Sequence, residues 1–135
     1  MIRYEVGEEY QAHYDWFNPA SADYAERTQQ RGQRVATAFC YLTDLPTRAG
    51  GCTTFHRLGP LSVQPRLGRG VFWDNVDRVS LVPDERTLHS GDVVKAGMKW
   101  AVNIFFRERA ASGAHRDHQT APARASGWMG EVAAL

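Results

Sequence analysis

Cysteine is scarce in this chain, with two in 135 residues. Neither belongs to a CxxC pair or a Cys/His cluster, so structural zinc is not indicated. Long apolar runs are missing too; nothing approaches the roughly 18 residues a membrane span needs. There is no excess of one charge, the formal net being +1. A strong electrostatic pull on nucleic acid or anionic membrane is therefore not expected, and neither is a partner of either kind. The opening MIRYEVGEEY lacks the apolar stretch of a signal peptide. A cytoplasmic location follows as an expectation, and with it free thiols at Cys40 and Cys52.

The chain does contain short apolar or alternating runs broken by turn residues, which read as mainly β. Strands are expected over 2–6, 10–17, 34–44, 53–58, 61–65, 68–76 and 98–109, with a polar loop holding one helical turn over 18–33. About seven short strands with regular breaks suggest a sandwich or barrel, and a cupin-like jelly roll with few or no helices is one such solution. The core is expected to span 1–110. Residues 111–135, rich in Ala, Ser, Gly and Arg without a clear period, read as a tail outside it.

On a strand, residues i and i+2 share a face. In EYQAHYDWF that would aim His13 and Asp15 at one point, with Tyr14 facing away. His89 is the candidate third ligand, and two His with one carboxylate suit non-haem Fe(II) oxygenases. The local motif is weak, because chance gives His-x-Asp in roughly one such chain in three. His115 and Asp117 in the tail match it as well. On spacing alone, His13 and Asp15 fit either a metal site or a polar pair on an edge strand. His56 reads as a lone histidine between strands.

Lys99 lies between Met98 and Trp100 in an apolar strand. It reads either as a solvated charge or as an inward one, facing the same way as Ala101, Asn103 and Phe105. An inward ammonium needs an anion, which an incoming carboxylate would supply. Tyr4 offers a phenol that can donate to the same carboxylate, or is a half-buried strand tyrosine.

Five segments occur in the order and spacing of a known family: YEVGEEYQAHYDWF, QRVATAFCYLTD, GGCTTF, VQPRLGRGVFWDN and HSGDVVKAGMKWAVNIFFRER. Over about residues 2–110 the chain resembles the catalytic domain of prolyl 4-hydroxylases, within the Fe(II)/2-oxoglutarate-dependent dioxygenases. The resemblance implies a double-stranded β-helix, with His13, Asp15 and His89 as iron ligands and Lys99 and Tyr4 on the distal carboxylate of 2-oxoglutarate. Tyr10 and Arg34 match positions that line the peptide-proline groove, and Phe105 stands where the family usually has Trp. Cys52 and His56 stand where the family often has Glu and Pro, and Val93 where it commonly has Pro. Helices and strands that usually precede the segment beginning at Ile2 are absent from this sequence, so a minimal domain, a fragment or one part of a homo-oligomer is expected.

The implied reaction is hydroxylation of a peptidyl proline, coupled to oxidative decarboxylation of 2-oxoglutarate by O2 to succinate and CO2, with ascorbate as reductant. Segments 18–33 and 74–88 are expected to flank the mouth of the site. Two other readings stand beside this one: hydroxylation of a free amino acid or another side chain, and a jelly-roll binding module without turnover.

Overall fold

Alternation of inward and outward side chains builds two facing antiparallel layers from short strands. The computed structural model describes residues 1–59, 61–110 and 132–134. The strands are β1 (Ile2–Tyr4), β2 (Tyr10–His13), β3 (Arg34–Tyr41), β4 (Thr53–Phe55), β5 (Leu61–Val63), β6 (Gly70–Asp74), β7 (His89–Gly91), β8 (Lys99–Arg107) and β9 (Val132–Ala134). A short helix α1 (Tyr24–Thr28) lies in the 18–33 loop, and a single 3-10 turn (Glu85–Thr87) precedes β7. One sheet runs β1-β8-β3-β6-β9 and the other β2-β7-β4-β5. Strands consecutive in sequence thus alternate between layers from β1 to β4, as in a double-stranded β-helix. Among the described residues no helix is long and apolar enough to cross a membrane.

Phe39, Tyr41, Val71, Trp73 and Ala101 of the first sheet meet Phe55 of the second, all buried. The Trp73 ring stands edge-on to Phe55, centroids 5.2 Å apart, a favoured aromatic geometry. The Tyr41 hydroxyl ties the layers together, 2.7 Å from Thr53 Oγ1 and 2.9 Å from the Val63 carbonyl. A carbonyl only accepts, so Val63 takes the Tyr41 proton and the Thr53 hydroxyl donates to the phenol oxygen. Gly50 and Gly51 turn the chain into β4 with φ of +72° each. A Cβ on Gly50 would fall 2.1 Å from the Val93 carbonyl oxygen, so only glycine fits there.

The outer face of the first sheet is apolar, with Ile104 and Phe106 exposed and Phe72 against Phe106 at 5.9 Å. β2 stops at His13, four residues short of the strand expected over 10–17. Cys40 and Cys52 are free thiols. Most of the expected tail falls outside the described residues; within it, Val132–Ala134 forms β9, parallel to β6.

Replacing Tyr41 with Phe leaves the Val63 carbonyl and Thr53 hydroxyl without their partner inside the barrel. Chemical denaturation should show a loss of about 1–3 kcal/mol; an unchanged midpoint would mean that the two layers are not joined there.

Candidate metal centre

Two strand irregularities aim side chains at the space between the sheets. Against β7, Tyr10 pairs with Gly91 and His13 with His89, so β2 carries one extra residue between them. A bulge of this kind reverses alternation. It brings Tyr10 and His13 to one side, with ring centroids 4.1 Å apart. His13 then lies across from His89, rings 4.4 Å apart. Each imidazole is anchored in the same way. His13 Nδ1 lies 2.8 Å from the Gln11 carbonyl and His89 Nδ1 2.8 Å from the Thr87 carbonyl. Because a carbonyl only accepts, both Nδ1 atoms carry a proton, which leaves Nε2 of each ring as the atom that can bind a cation.

Asp15 sits on a bend beyond β2, so the strand rule alone does not place it. The buried Gln33 side chain holds that bend: its Oε1 accepts from Phe17 N–H and its Nε2 donates to the Phe17 carbonyl, both at 2.8 Å. The Asp15 carboxylate is buried at 2 % exposure. His13 Nε2 lies 3.5 Å from Oδ1 and His89 Nε2 lies 3.8 Å from Oδ2. Burial works to raise the Asp15 pKa, but His13, His89 and the Thr37 hydroxyl outweigh it, and the net shift is downward. For His89, burial lowers the pKa despite the opposing pull of Asp15. The result is a carboxylate facing a neutral His89 imidazole, the protonation state a metal ligand needs.

β1 and β8 pair Tyr4 with Lys99 directly. Lys99 is 1 % exposed, and its Nζ stands over the Tyr4, Phe39 and Tyr41 rings at 5.1, 5.3 and 5.6 Å. No carboxylate lies within ion-pair distance of it among the described residues. Burial pulls its pKa from 10.5 down to about 8, with Asp92 and Cys52 opposing. A Cβ on Gly91 would come 3.7 Å from Nζ, so glycine there keeps the ground beside the ammonium clear.

The eight residues expected to bind iron, co-substrate or peptide line one cavity of about 660 Å³: Tyr4, Tyr10, His13, Asp15, Arg34, His89, Lys99 and Phe105. Strict alternation would turn Arg34 outward with Ala36, but β3 shifts register against β8 between these two residues. The Arg34 guanidinium consequently lies over the Phe105 ring at 3.7 Å and the Phe17 ring at 4.8 Å. Tyr14, expected to face away, also lines the cavity, because the strand ends before it. Phe17 and Asn103 are further lining residues. The 18–33 segment contributes Asn18, Ser21, Asp23 and Arg27, whereas 74–88 contributes none. His56 is exposed, with Nε2 3.0 Å from Ser90 Oγ. His115 and Asp117 lie outside the described residues.

His13, Asp15 and His89 each offer one ligand atom, all within 4.8 Å of one another. Two imidazole nitrogens and one carboxylate, open on the cavity side, fit a divalent first-row ion such as Fe(II). A jelly roll with this donor set and a buried lysine in the same cavity is the frame of a non-haem iron oxygenase. The sequence profile of the 2OG-Fe(II) oxygenase superfamily matches residues 1–107, and the chain belongs to that superfamily. It is 35% identical over 109 residues to prolyl 4-hydroxylase subunit alpha-2 of Gallus gallus, covering 81% of this chain and 19% of that one. Identity to subunit alpha-1 of Rattus norvegicus is 38% over 109 residues, covering 81% and 20%. Among solved structures, it is similar to the viral collagen prolyl hydroxylase vCPH of Paramecium Bursaria Chlorella virus-1 in complex with 2OG. That match has a TM-score of 0.63 and 31% identity, over 78% of this chain and 55% of that one. The chain thus spans about a fifth of the animal subunits.

A buried ammonium without a counter-charge costs stability. Lys99→Met should therefore raise the stability at pH 7, by up to about 3 kcal/mol. Below pH about 8 the folded and unfolded chains both carry the proton and the full cost applies. Between about 8 and 10.5 the folded chain sheds it first, so native stability rises with pH and the gap to the variant narrows. Denaturation of both proteins across this range checks it; a less stable variant at pH 7 would contradict it.

Proposed function

We propose that this chain is a 2-oxoglutarate-dependent dioxygenase that hydroxylates a peptidyl proline. The observation that carries the proposal is two buried charges of opposite sign held apart in one cavity, Asp15 among two histidines and Lys99 beside Tyr4. His13, Asp15 and His89 would hold Fe(II). Lys99 and Tyr4 would hold the distal carboxylate of 2-oxoglutarate, the ammonium as counter-charge and the phenol as donor. Bound there, iron supplies the oxidative chemistry by which O2 converts 2-oxoglutarate to succinate and CO2 and places the second oxygen atom on a C–H of the substrate.

The chain's own part is positioning. The bends and bulges fix three ligands on one side, and the aromatic walls around Lys99 keep water from the carboxylate pair. Tyr10, Arg34 and Phe105 line the cavity beyond the ligands, where a proline-containing peptide would lie. The Arg34 guanidinium lies over the Phe105 ring at 3.7 Å and donates through Nη1 to the Asp15 carbonyl at 3.4 Å, and its other terminal nitrogen would donate to a peptide carbonyl. Ascorbate as external reductant and a cytoplasmic location belong to the same proposal, as does assembly into a homo-oligomer.

Purified protein with Fe(II), ascorbate, 2-oxoglutarate and a proline-rich peptide should release succinate, and the peptide should gain one oxygen on proline by mass spectrometry. His89→Ala should abolish both signals, and Lys99→Ala should raise the 2-oxoglutarate KM at least tenfold. Succinate release that survives His89→Ala would refute the assignment, while a gain of oxygen on free proline alone would redirect it to amino acids.

A further inference from the structure

Behind Asp15 lies a buried polar chain that the metal ligands themselves do not require. Thr37 on β3 and Asn75, just past β6, are both 0 % exposed. Thr37 Oγ1 donates to Asp15 Oδ2 at 2.8 Å, and Asn75 Nδ2 donates to Thr37 Oγ1 at 2.8 Å. The order of donors is forced. A carboxylate only accepts, so the Thr37 proton must point at Asp15, and the threonine lone pair must then receive the Asn75 amide. The Asn75 main chain is fixed, its backbone N–H donating to the Val35 carbonyl and its carbonyl accepting from Asp84 N–H. The cost is visible: Asn75 Oδ1 is buried with no partner among the described residues. A buried polar atom left unmatched calls for an explanation.

We infer that Asn75 and Thr37 are positioning residues that hold Asp15 Oδ2 away from the metal, so that the carboxylate binds through Oδ1 alone. The count of coordination positions gives this its consequence. In a six-coordinate ion, two imidazoles and one carboxylate oxygen leave three places. A two-toothed co-substrate fills two of them and one remains for O2. A carboxylate bound through both oxygens would take that last place. The inference rests on the metal reading above, and it adds two residues that no ligand motif in the sequence points to.

Co(II), titrated by its visible spectrum in the absence of 2-oxoglutarate, tests the inference without turnover. Thr37→Val keeps the shape and removes the hydrogen bond. It should weaken Co(II) binding about 10- to 100-fold, as loss of such supporting partners does, and change the spectrum toward that of a two-oxygen carboxylate. Thr37→Ser, which restores the hydroxyl, should return affinity and spectrum to within about threefold of the parent. Thr37→Val with the parent's affinity and spectrum would overturn the inference, as would equal impairment of the valine and serine variants. Should Thr37→Val not fold, Asn75→Leu decides. Weakened Co(II) binding with an undiminished unfolding midpoint supports the relay, and parent-like binding overturns it. Failure of the parent chain to bind Co(II) at all would instead overturn the metal site, a distinguishable result.

Discussion

Two opposite charges are buried in one cavity and are not paired with each other. Asp15 is 2 % exposed and Lys99 is 1 % exposed, and the fold keeps them apart by placing one on the bend after β2 and the other at the start of β8. For Lys99, burial without a counter-charge costs up to several kcal/mol, whereas the groups around Asp15 favour its charged form. Each charge is instead set against a different set of groups: two imidazoles and a hydroxyl around the carboxylate, three aromatic rings and a glycine gap around the ammonium. The cavity is therefore incomplete in two places at once, one suited to a divalent cation and one to a carboxylate.

The surrounding barrel is built to hold that mismatch. Tyr41 and Trp73 join the layers behind the site, and Trp73 also packs against His89, ring centroids 4.9 Å apart. The bulge in β2 and the register shift in β3 work at the cavity's two sides. Without the first, Tyr10 and His13 would point in opposite directions; without the second, Arg34 would lie on the outer face. Such irregularities re-aim side chains where a regular ladder cannot.

Much of this was legible in the sequence, for reasons that differ by residue. The inward set Lys99, Ala101, Asn103 and Phe105 follows from alternation, because β8 is regular over that stretch. His13 and His89 stand out as residues, but the geometry that unites them depends on a one-residue bulge that no local pattern announces. A strand continuing to residue 17 would also turn Asp15 to the side of His13, but Asp15 reaches it from a bend held by Gln33 and Thr37. The same bend brings Tyr14 to the cavity, where a continuing strand would turn it away. Thr37 gave a faint signal, as a polar residue on the same face as Phe39 and Tyr41. Asn75 gave none, since its role exists only once β3 and β6 are side by side. The strand β9 pairs across more than sixty residues of sequence, a separation at which composition says nothing.

The most direct test is a crystal structure of the protein soaked with zinc, a redox-silent stand-in, and 2-oxoglutarate. The account predicts one anomalous peak about 2.0–2.2 Å from His13 Nε2, His89 Nε2 and one Asp15 oxygen, with the distal carboxylate of 2-oxoglutarate against Lys99 Nζ. A metal bound elsewhere, or a co-substrate that leaves Lys99 unpaired, would contradict it.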